Sequence, residues 1–183
     1  KTVSEKEIKN RRDFRKELTF TIDPEDAKDF DDAISYKEIE KNIYEVGIHI
    51  ADVSHYVEKN SALDLEAYKR GTSIYLVDRV IPMLPEILSN MVCSLRPKEE
   101  KYTFSAIFKI NSKGKTIEEW YGKTVIKSDK RFSYAEAQEI IETNNGTISK
   151  EKSLTNKSYQ VEKNLVDAII NLNEIAKQKR EER

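Results

Sequence analysis

Along residues 18–23 apolar Leu18, Phe20 and Ile22 alternate with Thr19, Thr21 and Asp23, the two-residue period of a strand with one buried face. Similar stretches predict strands over 33–39, 43–53, 73–77, 102–111 and 116–127. Lys41-Asn42 and Ser112-Lys113-Gly114-Lys115 fall between them as hairpin turns, because asparagine and glycine tolerate positive φ. Elsewhere the period becomes helical. Ser61 with Asp64 and Ser133 with Glu136 have capping-box spacing and predict helices over 62–70 and 134–143. From about residue 158 onward, Val161, Leu165, Ile169, Leu172 and Ile175 share one helical face, with Ala168 and Ala176 beside them. Asn144-Asn145-Gly146 marks the loop before that helix, and the polar run to Ser158 is expected to be mobile. The pattern predicts an α+β fold, a mixed and largely antiparallel sheet flanked by helices. No internal repeat is visible.

The chain has 183 residues, 38% hydrophobic and 36% charged, with five glycines and one tryptophan, which describes one globular domain or part of one. No apolar run approaches the ~18 residues that span a bilayer, so no membrane partner is expected. A cytoplasmic protein is the expectation. Cys93 is the only cysteine and sits beside Val92 and Leu95, which reads as a small buried apolar side chain rather than a nucleophile.

Charge changes the picture locally. The net charge is −1, yet residues 23–32 hold six carboxylates against one lysine. Two like charges ~4 Å apart repel by about 4 kcal/mol near a protein surface, so convergence of these side chains calls for a counter-charge. Oxygen ligands without histidine or cysteine suit Mg²⁺, Mn²⁺ or Ca²⁺ rather than Zn²⁺. An EF-hand does not fit: counting from Asp23 puts Lys28 at the glycine position and Ile34 at the glutamate, and counting from Asp29 puts Ala33 and Ile34 at positions 5 and 6. The bland reading is a solvated acidic loop. Against it stand the close apolar flanks, Leu18 to Ile22 before the run and Ala33-Ile34 after it.

Several segments together resemble the start of the catalytic domain of the ribonuclease II/ribonuclease R family. They are Arg12-Asp13-Phe14-Arg15, Leu18 to Asp23, Asp26 to Ile34, His49 to Val57, Arg70 to Leu76, Val80-Ile-Pro-Met-Leu-Pro85, Leu88-Ser89 and Cys93-Ser-Leu95. Ribonuclease R is the nearer likeness. The resemblance is dense from Arg12 to Arg96 and thinner to Arg131. It implies that residues 1–17 are a linker leading into the catalytic domain, and that 18–183 form the N-terminal half of an RNB-type catalytic domain. It also implies hydrolysis of single-stranded RNA from the 3′ end to nucleoside 5′-monophosphates, with one or two Mg²⁺ ions, or Mn²⁺, activating water and stabilising the departing 3′ oxygen. The family's four acidic positions fall on Asp23, Asp29, Asp31 and Asp32. Asp26 and Glu25 are extra.

The same resemblance places Tyr75 against a terminal RNA base, where stacking contributes about 1 to 3 kcal/mol. By pattern alone Tyr75 would read as a strand core residue. Asp52 and Arg70 are candidate supporting or phosphate contacts, and His49 and His55 read as structural. Residues 1–17 and 109–131 each carry seven basic residues, against four and three acids, which reads as solubilising charge or as phosphate contacts. The chain starts at Lys1 and ends in an uncapped helical pattern without the family's later arginine, glutamate and aromatic motifs. It is therefore expected to be part of a monomeric parent with further RNA-binding domains, to be weakly active or inactive alone, and to self-associate. A non-catalytic RNA-binding module and a Mg²⁺-dependent phosphoryl or glycosyl transferase using Asp29-Phe30-Asp31 remain as alternatives, the latter without a glycine-rich phosphate loop.

Overall fold

In the computed structural model, which describes residues 3–181, seven strands form one sheet in the order β1-β8-β7-β4-β3-β2-β9. The central strands are β2 (Thr19–Asp23), β3 (Asp32–Glu40), β4 (Ile43–Ala51), β7 (Glu100–Asn111) and β8 (Thr116–Lys127), joined antiparallel. Short β1 (Arg12–Phe14) and β9 (Lys130–Ser133) close the two edges in parallel with β8 and β2. Asn42 (φ 64°) and Gly114 (φ 76°) make the turns of the β3–β4 and β7–β8 hairpins, as their residue types predict. The α+β expectation is met.

Helices α3 (Tyr134–Thr143) and α4 (Lys163–Glu181) cover part of one face, where Phe20, Tyr36, Val46, Phe132, Ile140 and Leu165 form the largest apolar cluster. The other face buries Phe14, Phe30, Ala33, Cys93, Leu95 and Ile107 beneath residues 27–30 and 88–95. Ser133 and Glu136 form the full capping box. Ser61 Oγ likewise accepts from the Asp64 amide at the start of α2 (Ala62–Arg70), but the Asp64 carboxylate accepts from Asn60 instead of closing the box.

Within the stretch expected to lead into the catalytic domain, α1 (Glu5–Ile8) and β1 pack into the fold, with Val3 and Ile8 against Tyr102 and Val125. Three other expectations are corrected. The strand expected to reach residue 53 stops at Ala51, because Val53–His55 turns as a 3₁₀ segment after Asp52. The strand expected over 73–77 shrinks to β5 (Ile74–Tyr75), paired with β6 (Val80–Ile81). The polar run before α4 is tied down: β10 (Thr147–Ile148) pairs with β11 (Tyr159–Gln160), and Glu136 Oε1 accepts from the Leu154 amide and the Tyr159 hydroxyl. Among the described residues no helix is long and apolar enough to cross a membrane.

Candidate active site

The acidic run forms the loop between β2 and β3, so the chain must leave the sheet with Asp23 and return with Asp32. Asp23, the last residue of β2, is 6% exposed. Burial pushes its carboxyl above the usual range and the charges of Asp32 and Asp29 add to this, against the opposing pull of Thr21 and Arg131. Its Oδ2 is enclosed and has no hydrogen-bond partner in the protein. Asp31 is open to water but recessed. Desolvation again raises its carboxyl, and Asp29, Asp32 and Asp23 all push the same way.

The loop is fixed by backbone contacts. Ser94 Oγ accepts from the Phe30 amide and donates to Lys28 O, the Leu95 amide donates to Phe30 O, and the Ala51 amide donates to Asp31 O. Phe30, 7% exposed, anchors the centre of the loop in the core, leaving Asp29 and Asp31 on either side. The result is a cleft of about 820 Å³ into which Asp23, Asp26, Asp29 and Asp31 face.

Tyr75 lines the same cleft and is 71% exposed, so it is not the core residue that strand pattern alone suggests. It stands on the β5–β6 hairpin, which Arg70 holds by donating to Pro82 O at 3.1 Å while pairing with Glu66 at 2.9 Å. Arg70 does not line the cleft; its Nε and Nη1 are engaged by Glu66 and Pro82 O, and the side chain is 42% exposed. Asp52 is also structural. Burial would raise its carboxyl, but Ser54 and Arg11, whose Nη2 lies 2.7 Å from Oδ2, outweigh this and hold it low.

Sequence reasoning assigned no site role to the opposite wall, residues 82–93, although Pro82 to Pro85, Leu88-Ser89 and Cys93 carry part of the family resemblance. There a π-helical turn over Ile87–Val92 presents Ser89 and Asn90 to the cleft. Such turns recur at functional sites, but a six-residue change of period leaves no pattern to detect. The turn is held by Lys101, 2% exposed, whose Nζ donates to Met91 O at 2.6 Å and Val92 O at 3.2 Å. Cys93 lies under it, and burial pushes its thiol up to about 11, which suits packing and not nucleophilic attack. His49 is enclosed between Ser35 and Ser105, and His55 packs edge-on against Tyr56 and Tyr102; neither lines the cleft.

Asp32 acts on the site through its charge but does not line the cleft. Among the described residues no group of three or more acidic, histidine or cysteine side chains is gathered closely enough to hold a metal ion as it stands. Like-charge repulsion opposes closer approach of these carboxylates. The donor set nevertheless fits a hard cation: it is all oxygen, and one buried carboxylate oxygen lacks any protein partner.

A family model described as the RNB domain matches residues 11–183. The chain belongs to the RNB-domain family. It is 53% identical over 141 residues to DIS3-like exonuclease 2 of Schizosaccharomyces pombe, a match covering 76% of this chain and 15% of that protein. A solved structure of Mycoplasma genitalium RNase R in complex with double-stranded RNA superposes on 98% of this chain and 30% of its own, with a TM-score of 0.84 at 27% identity. An Arabidopsis thaliana protein named inactive exonuclease DIS3L2 is 44% identical over 140 residues, 76% of this RNB chain and 13% of that protein. The chain thus spans less than a third of the length of each of these relatives.

Proposed function

We propose that this RNB domain belongs to a 3′-to-5′ exoribonuclease that hydrolyses single-stranded RNA to nucleoside 5′-monophosphates, with the β2–β3 loop as its Mg²⁺ centre. The observation that carries the reading is the union, in one cleft, of Asp23, Asp29 and Asp31 with an exposed tyrosine. Asp23, Asp29, Asp31 and Asp32 are the residues that would hold Mg²⁺ or Mn²⁺. When bound, such a cation supplies Lewis-acid chemistry at a phosphodiester, acidifying a water and stabilising a departing 3′ oxygen. The chain's own residues do the rest. Tyr75 offers a ring on which a base stacks without sequence readout. Phe30 and Ser94 hold the loop so that its carboxylates face the cleft. Ile50, Ala51 and Val53 add apolar surface to the cleft wall.

The relatives' names support this reading, since an exonuclease and an RNase R share the domain. A second reading, an RNA-binding domain that does not turn over RNA, is favoured by the relative named inactive. Single-turnover incubation with 3′-tailed single-stranded RNA, with and without Mg²⁺, separates the two. Slow, Mg²⁺-dependent release of mononucleotides from the 3′ end is expected. RNA that is bound yet left intact at saturating Mg²⁺ would favour the non-catalytic reading.

A further inference from the structure

A loop that crowds like charges will splay unless its backbone is held. The second half of the acidic loop is held by Ser94, Leu95 and Ala51. Among the described residues, the hydrogen bonds that reach its first half from elsewhere come from one side chain. Arg131 Nη2 donates to Pro24 O at 2.7 Å and to Glu25 O at 2.8 Å, across more than a hundred residues of sequence. The same guanidinium lies 4.8 Å from the centre of the Phe30 ring, so one planar group grips the start of the loop and its apolar anchor together.

The strand pairing explains why Arg131 can do this. Parallel β2 and β9 set Thr21 level with Arg131 and Asp23 level with Ser133, which puts these side chains on one face of the sheet. Three buried polar atoms on this row lack a partner in the protein: Thr21 Oγ1, Asp23 Oδ2 and Arg131 Nε.

We infer that Arg131 is a positioning residue for the aspartate cluster: by clamping the Pro24 and Glu25 carbonyls and stacking on Phe30, it fixes the loop backbone from which Asp23, Asp29 and Asp31 face one cleft, so that a cation needs only side-chain movement to gather them. Arg131 does not line the cleft. Lysine cannot replace it, because a single ammonium does not reproduce a flat fork that binds two carbonyls while stacking on a ring.

The inference rests on the metal-dependent reading above, so its test includes a readout independent of metal. In Arg131→Lys, exchange of the Ala27 amide, which closes the first turn of the loop onto Pro24 O, should quicken about tenfold in metal-free protein. Amides of the β4–β7 ladder should keep wild-type rates. Affinity for Mn²⁺ alone, followed by its paramagnetic resonance signal, should fall about 10- to 100-fold, as for other groups that orient metal ligands. Arg131→Met should do at least as much, and if it fails to fold, the lysine variant decides. Wild-type Mn²⁺ affinity in Arg131→Lys, whatever happens to exchange, would overturn the inference, as would unchanged exchange at Ala27. A wild-type protein that binds no Mn²⁺ would overturn the underlying metal reading instead.

Discussion

Protonating His49 would place a charge in the dry middle of the sheet, between Ser35 Oγ at 2.9 Å and Ser105 Oγ at 2.7 Å, and burial pushes its pKa down to about 3. The unfolded chain takes up that proton near pH 6.5, so between about 6.5 and 3 the unfolded state binds more protons than the folded one. Stability is therefore full above pH 6.5 and falls by about 1.4 kcal/mol per unit as pH drops through that window. Urea unfolding at pH 7 and pH 4.5 should show this slope, and His49→Asn should flatten it; an equal slope in the variant would contradict the account. Gly47 makes room for this histidine, since a Cβ there would lie 2.6 Å from His49 Nε2 and 2.3 Å from Ser35 Oγ. Asp31 carries the opposite sign. Its raised carboxyl means that holding the charge costs stability as pH rises through the folded-state value, so Asp31→Asn should melt higher than wild type at pH 7 without metal. The same change should lower hydrolysis by about 10² or more, the weight of one preorganised electrostatic group, while leaving RNA binding in place. A lower melting point together with full hydrolysis would remove Asp31 from the site.

At the level of elements, sequence legibility followed the range of the interactions that form each one. The long hairpin strands, α2 and α3 were visible because their period, turn residues and caps are local. β1 and β9 were not, since three- and four-residue strands are defined by parallel partners roughly a hundred residues away. The same distance hid Arg131, whose role depends on carbonyls more than a hundred positions earlier. The acidic loop and Tyr75, picked out in the sequence, line one cleft, whereas Asp52 and Arg70, candidates by type, bond to Arg11 and to Pro82 O. Glu136 offers an element-scale test. It caps α3 and holds the 149–159 segment through Leu154 and Tyr159, so Glu136→Ala should cost about 2–4 kcal/mol in chemical unfolding. A loss below half of that would show that the segment is held otherwise. For the β5–β6 hairpin, Tyr75→Ala should weaken binding of a short single-stranded RNA by about 1 to 3 kcal/mol with little change in melting temperature, because the ring is open to water. A large fall in stability would return Tyr75 to a packing role.

For the molecule as a whole, the sheet is covered unevenly. Between the part of its face under α4 and the part under α1, Ile48, Ile50, Phe104 and Tyr121 remain 42–55% exposed on adjoining strands. A contiguous apolar patch of this kind favours association, so the isolated chain should sediment as a concentration-dependent dimer or larger species. Phe104→Lys should shift it toward monomer; a wild-type monomer across the micromolar range would count against this. The patch adjoins the cleft at Ile50. The central claim, however, concerns the acidic loop. Its most direct test is anomalous diffraction from crystals of this chain equilibrated with Mn²⁺. The account predicts one or two ions on carboxylates of Asp23, Asp29, Asp31 and Asp32, with the Asp23 Oδ2 that now lacks a partner among the ligands. Crystals that take up Mn²⁺ only elsewhere, or none at millimolar concentration, would contradict it.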